Sequence, residues 1–277
     1  MMPPILYDSH MHTPLCKHAW GTPDEYAAAA EKRNLKGIVF TCHNPGPDGW
    51  SSRVRMSMNQ LDEYVELVES ASQNWKGRVD VRLGLECDYM PGMESMLAEL
   101  LGKAAFNHVL GSIHPQLPYY KNTYFQGDVV AFQKMYFHHL AMAAETGLFD
   151  TLSHPDLVKN MHPNQWRLSD LAEDICRSLD RIAAAGTAME LNSSGIHKTI
   201  KEMNPNPTML AEMSKRGIPV VLGSDAHKPE RVAAEFEDAI NLLEAAGFSH
   251  ASFFVNRQRQ EVSLADARNS LKNGAVQ

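Results

Sequence analysis

Short apolar, β-rich runs recur along the chain at residues 5–12, 37–43, 79–89, 108–114, 151–154, 188–193 and 219–227, each followed by a helical pattern. Strands that alternate with helices are joined by crossovers and lie parallel, so the chain reads as an α/β fold of (β/α)-barrel type. The helix borders are explicit. Thr22-Pro23-Asp24-Glu25 offers an N-cap, a first-turn proline and a capping-box glutamate ahead of Tyr26 and a run of alanines. Asn206-Pro207 repeats that entry, and Gly147, Gly186, Gly217 and Gly247 mark helix ends. No linker, repeat or low-complexity tract interrupts the 277 residues, so a single domain over 1–277 is expected. The tail beyond Ser249 ends in a helical run that would cap the barrel or support an interface between copies.

The run ends carry the chemistry. His10 and His12 close the first run, His43 the second, Glu86 the third, His114 the fourth, His154 the fifth, and Asp225 with His227 the seventh. Residues two apart in a strand point to the same side, so each pair can face one point. With His18 in the first loop, nine ligand-type residues converge on the rim where barrels keep their active sites. A lone histidine at a strand end is ordinarily a hydrogen-bonded structural residue. Ligand types at six of seven run ends, twice as same-facing pairs, are not explained that way. Nine exceed what one ion uses, about four for zinc and about six for harder ions, so two or three divalent ions sharing Glu86 are expected. Imidazole with carboxylate suits Zn, Mn or Fe alike. Cys42 and Cys87 neighbour His43 and Glu86, and alternation points them the other way, into packing.

A formal charge of −7 argues against stable binding of nucleic acid or an anionic membrane, yet bound cations would still admit an anionic substrate. The four cysteines form no CxxC pair, and no signal peptide or long apolar span is recognisable. A soluble, cytoplasmic protein with reduced thiols is therefore expected.

At these residues the chain resembles the PHP (polymerase and histidinol phosphatase) family. The matching pieces are His10-Met11-His12, the His18 loop, Thr41-Cys42-His43-Asn44-Pro45 and Gly84-Leu85-Glu86. Ser112-Ile113-His114, Ser153-His154-Pro155 and Gly223-Ser224-Asp225-Ala226-His227 follow in family order. The opening Asp8 to Cys16 and the segment Glu190-Leu191-Asn192-Ser193-Ser194-Gly195 resemble the histidinol-phosphatase branch. The resemblance implies a distorted seven-stranded barrel with a trinuclear site that hydrolyses a small phosphate monoester, L-histidinol phosphate first among them. Another phosphate ester on the same site is the alternative. One ion would take His10, His12, Glu86 and Asp225. A second would share Glu86 and add His114 and His154, and a third would take His18, His43 and His227.

Glu86, Asp225 and His197 are the candidates for catalytic roles. Where the branch often carries an arginine soon after the sixth-strand glycine, this chain has Gly195-Ile196-His197-Lys198. Loop cations expected to grip phosphate are Lys17, Arg53, Arg55, His197 and Lys198, with arginine best suited to bidentate contact. Trp50, Tyr119 and Tyr120 are candidates to wall the leaving group. His138 and His139 read as structural or surface residues, and His108, His162 and His250 show no partner pattern. An amidohydrolase would want a bridging lysine at a middle strand end, and none stands there. A non-catalytic module would be marked by lost ligands, and all are present.

Overall fold

The computed structural model describes residues 4–46 and 52–274. The parallel strands are β1 (Tyr7–Met11), β2 (Gly37–Phe40), β3 (Asp80–Asp88), β4 (His108–Ser112), β5 (Thr151–Leu152), β6 (Ala188–Asn192) and β7 (Val220–Gly223). Between them run α1 (Pro23–Lys32), α2 (Leu61–Asn74), α3 (Glu94–Leu101), α4 (Pro118–Tyr124), α5 (Val129–Glu145), α6 (Leu168–Ala185) and α7 (Pro207–Lys215). After α8 (Phe236–Ala245), β8 (His250–Val255) and β9 (Gln258–Ser263) form an antiparallel hairpin that leads into α9 (Leu264–Gly274). Strand order follows chain order from β1 to β9. No helix among the described residues is long and apolar enough to cross a membrane.

All seven runs read as strands are strands, and the expected helix borders hold. Thr22 caps α1 in a full capping box with Glu25, Asn206 caps α7 through the Met209 amide at 3.1 Å, and Gly186 ends α6 at φ 72°. The connection after β4 contains α4. That helix is seated by Tyr120, whose hydroxyl lies 2.9 Å from His139 Nδ1.

The barrel is distorted and its seam is incomplete. β8 pairs with β7 at Val221–Ser252 near the strand bases, where Phe253 stacks on Tyr7 of β1. β1 and β7 are therefore joined only above, where the His12 amide donates to the Ala226 carbonyl at 2.9 Å and the Ala226 amide to His10 at 3.2 Å. Buried Asp8 ties the same seam, accepting from the Ser224 amide at 3.0 Å and the Ala233 amide at 2.7 Å. Desolvation raises the Asp8 pKa, and those bonds work against the rise.

A second seam lies between β2 and β3. Their ladder stops at Phe40–Leu83 and resumes as a single bridge between His43 and Glu86. Tyr64 from α2 fills the gap: its buried hydroxyl lies 2.8 Å from the carbonyls of Phe40 and Gly84 and accepts from the Cys42 amide. A helix side chain thus satisfies the backbone that the strands leave unpaired while they splay toward the rim. Around the sheet, Tyr26, Phe40, Phe132, Tyr136, Phe137 and Phe236 are among the largest fully buried side chains.

Candidate metal centre

The nine ligand-type residues meet at the C-terminal rim. Most stand just past the regular strands rather than within them, because a straight strand cannot aim several side chains at one point. His154 and Asp225 follow β5 and β7 in the left-handed region, at φ 26° and 51°, a strained backbone for residues with a Cβ. Their side chains turn inward there.

Glu86 is the hub. Its carboxylate is 1% exposed, and its oxygens lie 2.6 Å from His43 Nδ1, 2.9 Å from His154 Nε2, 3.6 Å from His10 Nε2, 3.7 Å from His114 Nε2 and 3.8 Å from His12 Nε2. Asp225 Oδ1 lies 3.1 Å from His12 Nε2 and 3.7 Å from His10 Nε2. A histidine stack continues outward, with ring centroids 4.1 Å apart for His12–His227, 4.6 Å for His18–His227 and 5.4 Å for His18–His43.

Three groups place one donor atom per residue within 4.8 Å of each other: His10–His12–Glu86, His43–Glu86–His114 and His12–His43–His227. Within them, His43 Nδ1 and Glu86 Oε2 lie 2.6 Å apart without hydrogen-bond geometry, and buried His227 Nε2 has no hydrogen-bond partner. Orphaned polar atoms in a protein interior cost free energy, and so many aimed at one another are not a hydrogen-bond network. His10 Nε2 faces His12 Nε2 at 3.2 Å, where two lone pairs require a cation or a proton between them. The donor set and its orphans fit divalent metal ions.

The electrostatics agree. Burial lowers the pKa of His43, with Arg55 adding to it, and burial lowers His18 and His114. Burial and His12 bring His227 down to about 3. These rings are neutral at pH 7, the form that binds metal. Burial alone would neutralise Glu86 and Asp225, yet the surrounding imidazoles, with Lys198 at Asp225, hold both well below the ordinary carboxylate range. Burial opposes a charge on His10, and Glu190, Glu86 and Asp225 override it, raising its pKa well above normal. A field that draws a proton so strongly draws a divalent cation too.

The expected phosphate donors separate. Lys198 Nζ lies 3.6 Å from Asp225 Oδ2, at the edge of the cluster. His197 turns away, its half-exposed ring 3.3 Å from Glu235 Oε1. Lys17 is exposed and bonds the Ser52 carbonyl, and Arg53 is exposed beside it. Arg55 is 2% exposed and binds Asp88 at 2.7 and 3.0 Å and the Val54 carbonyl at 2.7 Å. Two strand-end carboxylates would repel each other, and Arg55 is the buried counter-charge that lets Asp88 sit two residues beyond Glu86 on β3. Tyr120 is likewise core, Tyr119 is exposed, and Trp50 lies outside the described residues. Cys42 packs, but behind His12 and beside Cys16 and Thr13.

Asp88 and Ser194 also touch the cluster. Asp88 Oδ1 lies 2.5 Å from His114 Nδ1, which leaves Nε2 to face Glu86. Burial opposes the Asp88 charge, but Arg55 and His114 bring its pKa to about 2. Its position two beyond Glu86 on one strand was a usable signal. Ser194 donates to Asp225 Oδ2 at 3.0 Å, and nothing local in the sequence announces that.

Comparison with known proteins agrees with this geometry. The PHP domain profile matches residues 8–194, more than half of the chain. A probable histidinol-phosphatase of Deinococcus radiodurans is 38% identical over 257 residues, covering 90% of this chain and 96% of that protein. The histidinol-phosphatase of Bacillus subtilis is 26% identical over 258 residues, covering 83% of this chain and 96% of its own. In three dimensions the chain resembles the Lactococcus lactis histidinol phosphate phosphatase solved with zinc, L-histidinol and phosphate. That match has a TM-score of 0.76 at 20% identity and covers 92% of this chain and 99% of the other. The profile across most of the strand ends, together with a 38% identical relative along nearly its whole length, places this chain in the PHP family, on its histidinol-phosphatase branch.

Proposed function

We propose that the chain is a metal-dependent phosphatase that hydrolyses L-histidinol phosphate to L-histidinol and phosphate. The observation that carries this reading is the ring of buried donor atoms around Glu86, several without hydrogen-bond partners, on a chain whose 38% identical relative is a probable histidinol-phosphatase. His10, His12, His18, His43, Glu86, His114, His154, Asp225 and His227 would hold two or three ions, Zn, Mn or Fe. Such ions lower the pKa of water and offset charge on phosphoryl oxygens.

The chain's own residues do the rest. Glu86 and Asp225 supply the negative charge that the ions need, and Ser194 keeps Asp225 oriented. Lys198, next to Asp225, is the cation placed to meet a phosphoryl oxygen. Lys17 and Arg53 lie exposed at the outer loops, where they favour approach of an anion. His197, turned toward Glu235, would need to rotate before it could donate a proton to the leaving alkoxide.

That orientation also supports a second reading, the same site acting on another phosphate ester, because His197 stands where the branch often carries an arginine. Phosphate release should be measured with Mn-, Zn- and Fe-loaded protein on L-histidinol phosphate, nucleotides, sugar phosphates and a model diester. Preference for histidinol phosphate, abolished in Glu86→Ala, is the expected result. Turnover confined to another ester would move the substrate. No release by protein that binds ions would overturn the phosphatase reading.

A further inference from the structure

The sixth strand brings a carboxylate to the cluster that the nine ligand-type residues do not include. Glu190 is 1% exposed and touches two of the histidines through different kinds of atom. Its Oε1 lies 2.7 Å from His10 Nδ1, the nitrogen that faces away from the cluster. Its Oε2 accepts from the His154 backbone amide at 2.7 Å and from Asn192 Nδ2 at 3.0 Å. One side chain thus ties a ligand histidine from β1 to the strained backbone that presents another after β5.

The seat for this carboxylate is a missing methyl group. A Cβ on Gly223 of β7 would lie 2.0 Å from Glu190 Oε1 and 2.8 Å from His10 Cβ. Gly223 does not occupy the left-handed region, so its lack of a side chain answers to space. Two strands, β6 and β7, are matched to one hydrogen bond.

We propose that Glu190, seated by Gly223, is a positioning residue that sets the tautomer of His10 and the backbone of His154 so that both face the metal site. The proposal rests on the metal-dependent reading above. The chemistry is specific to a carboxylate. Three donors converge on it, and an ionised carboxylate is all acceptor. With the proton held on Nδ1, His10 offers the lone pair of Nε2 toward Glu86 and Asp225. A glutamine cannot do both jobs. With its amide NH2 toward His10, it would make Nδ1 an acceptor and put the proton on Nε2, the metal-facing nitrogen. With the NH2 turned the other way, it would oppose the His154 and Asn192 donors.

The test is metal affinity in Glu190→Gln and Gly223→Ala, measured by chelator competition and by the visible spectrum of cobalt-loaded protein, beside thermal melting of the metal-free forms. Both variants should remain folded, bind metal about 10- to 100-fold more weakly and show an altered cobalt spectrum. Because they break one contact, the double variant should lose little more than the worse single one. Lower melting temperatures with unchanged affinity and spectrum in the folded protein would mean a purely structural brace and overturn the proposal. Wild-type protein that binds no ion would overturn both this and the phosphatase reading. Wild-type protein that binds ions, with variants that bind equally well, would overturn this inference alone.

Discussion

At the N-terminal ends of the strands, half-buried charge comes in closed partnerships. Arg82 holds Asp80 at 2.7 Å and Asn107 at 2.8 Å, while the Tyr7 hydroxyl donates to Asp80 at 2.5 Å. Arg257 lies 3.0 Å from Asp150, whose other contact is the Val109 amide at 2.8 Å. His108, fully buried there, has Nε2 at 2.9 Å from Thr151 and Phe254 stacked on its ring, while its Nδ1 has no partner. At the C-terminal ends the same residue types crowd around one carboxylate, with five imidazoles within 3.8 Å of Glu86 and His227 Nε2 left without a hydrogen-bond partner. The base spends its polar groups on closing the barrel, and the rim withholds them from one another. The lesson is that convergence on a shared carboxylate, not residue type or pairing alone, separates structural from functional histidines here.

Breaking the rim should give the largest effect. Glu86→Gln is expected to lower turnover roughly 1000-fold or more and to strip bound ions, read by phosphate release and metal analysis. Loss below tenfold with ions retained would end Glu86's role as the hub. Metal removal comes next. Ions at about 100 times their Kd stabilise the folded state by about 2.7 kcal/mol per independent site, roughly 5 °C in Tm at this size. A chelator should reverse that shift, whereas Arg257→Met at the base should lower Tm equally in loaded and metal-free protein.

Arg55→Met sharpens the boundary between the regions, since it is a paired charge on the rim side. It leaves Asp88 buried without its counter-charge and His114 poorly held, and activity should fall about 10- to 100-fold with weakened metal binding. An effect on stability alone would assign Arg55 to the base's logic. The smallest effect belongs to His108. Burial lowers its folded pKa to about 3 from 6.5, so the unfolded chain takes up the proton first as pH falls. The stability it contributes is fully present above pH 6.5, is reduced by about 1.4 kcal/mol at pH 5.5, and continues to fall toward pH 3. Replacing it by Phe should flatten that part of the pH–Tm curve and leave activity at pH 7 unchanged.

Much of the site was legible because its ligands obey a positional rule. His10, His12, His43, Glu86, His114, His154, Asp225 and His227 follow strand runs, and runs are readable from apolar periodicity. Lys198 and Arg55 are both loop cations in the sequence, yet one borders the cluster at its edge and the other is buried beside Asp88 and His114. Charge and loop membership do not say which way a long side chain turns. Arg55's place depends on Asp88, and His197's on Glu235, partners 33 and 38 residues away in the chain.

The sequence by itself determined the strand–helix alternation, the helix caps at Thr22 and Asn206, and the ligand types at the rim, because each is set by near neighbours along the chain. The tertiary structure alone decided how β8 wedges the seam between β1 and β7, how Tyr64 bridges β2 and β3, and how Gly223 makes room for Glu190. Those features depend on contacts between residues far apart in sequence, where a gap of one methyl group determines which carboxylate can reach which histidine.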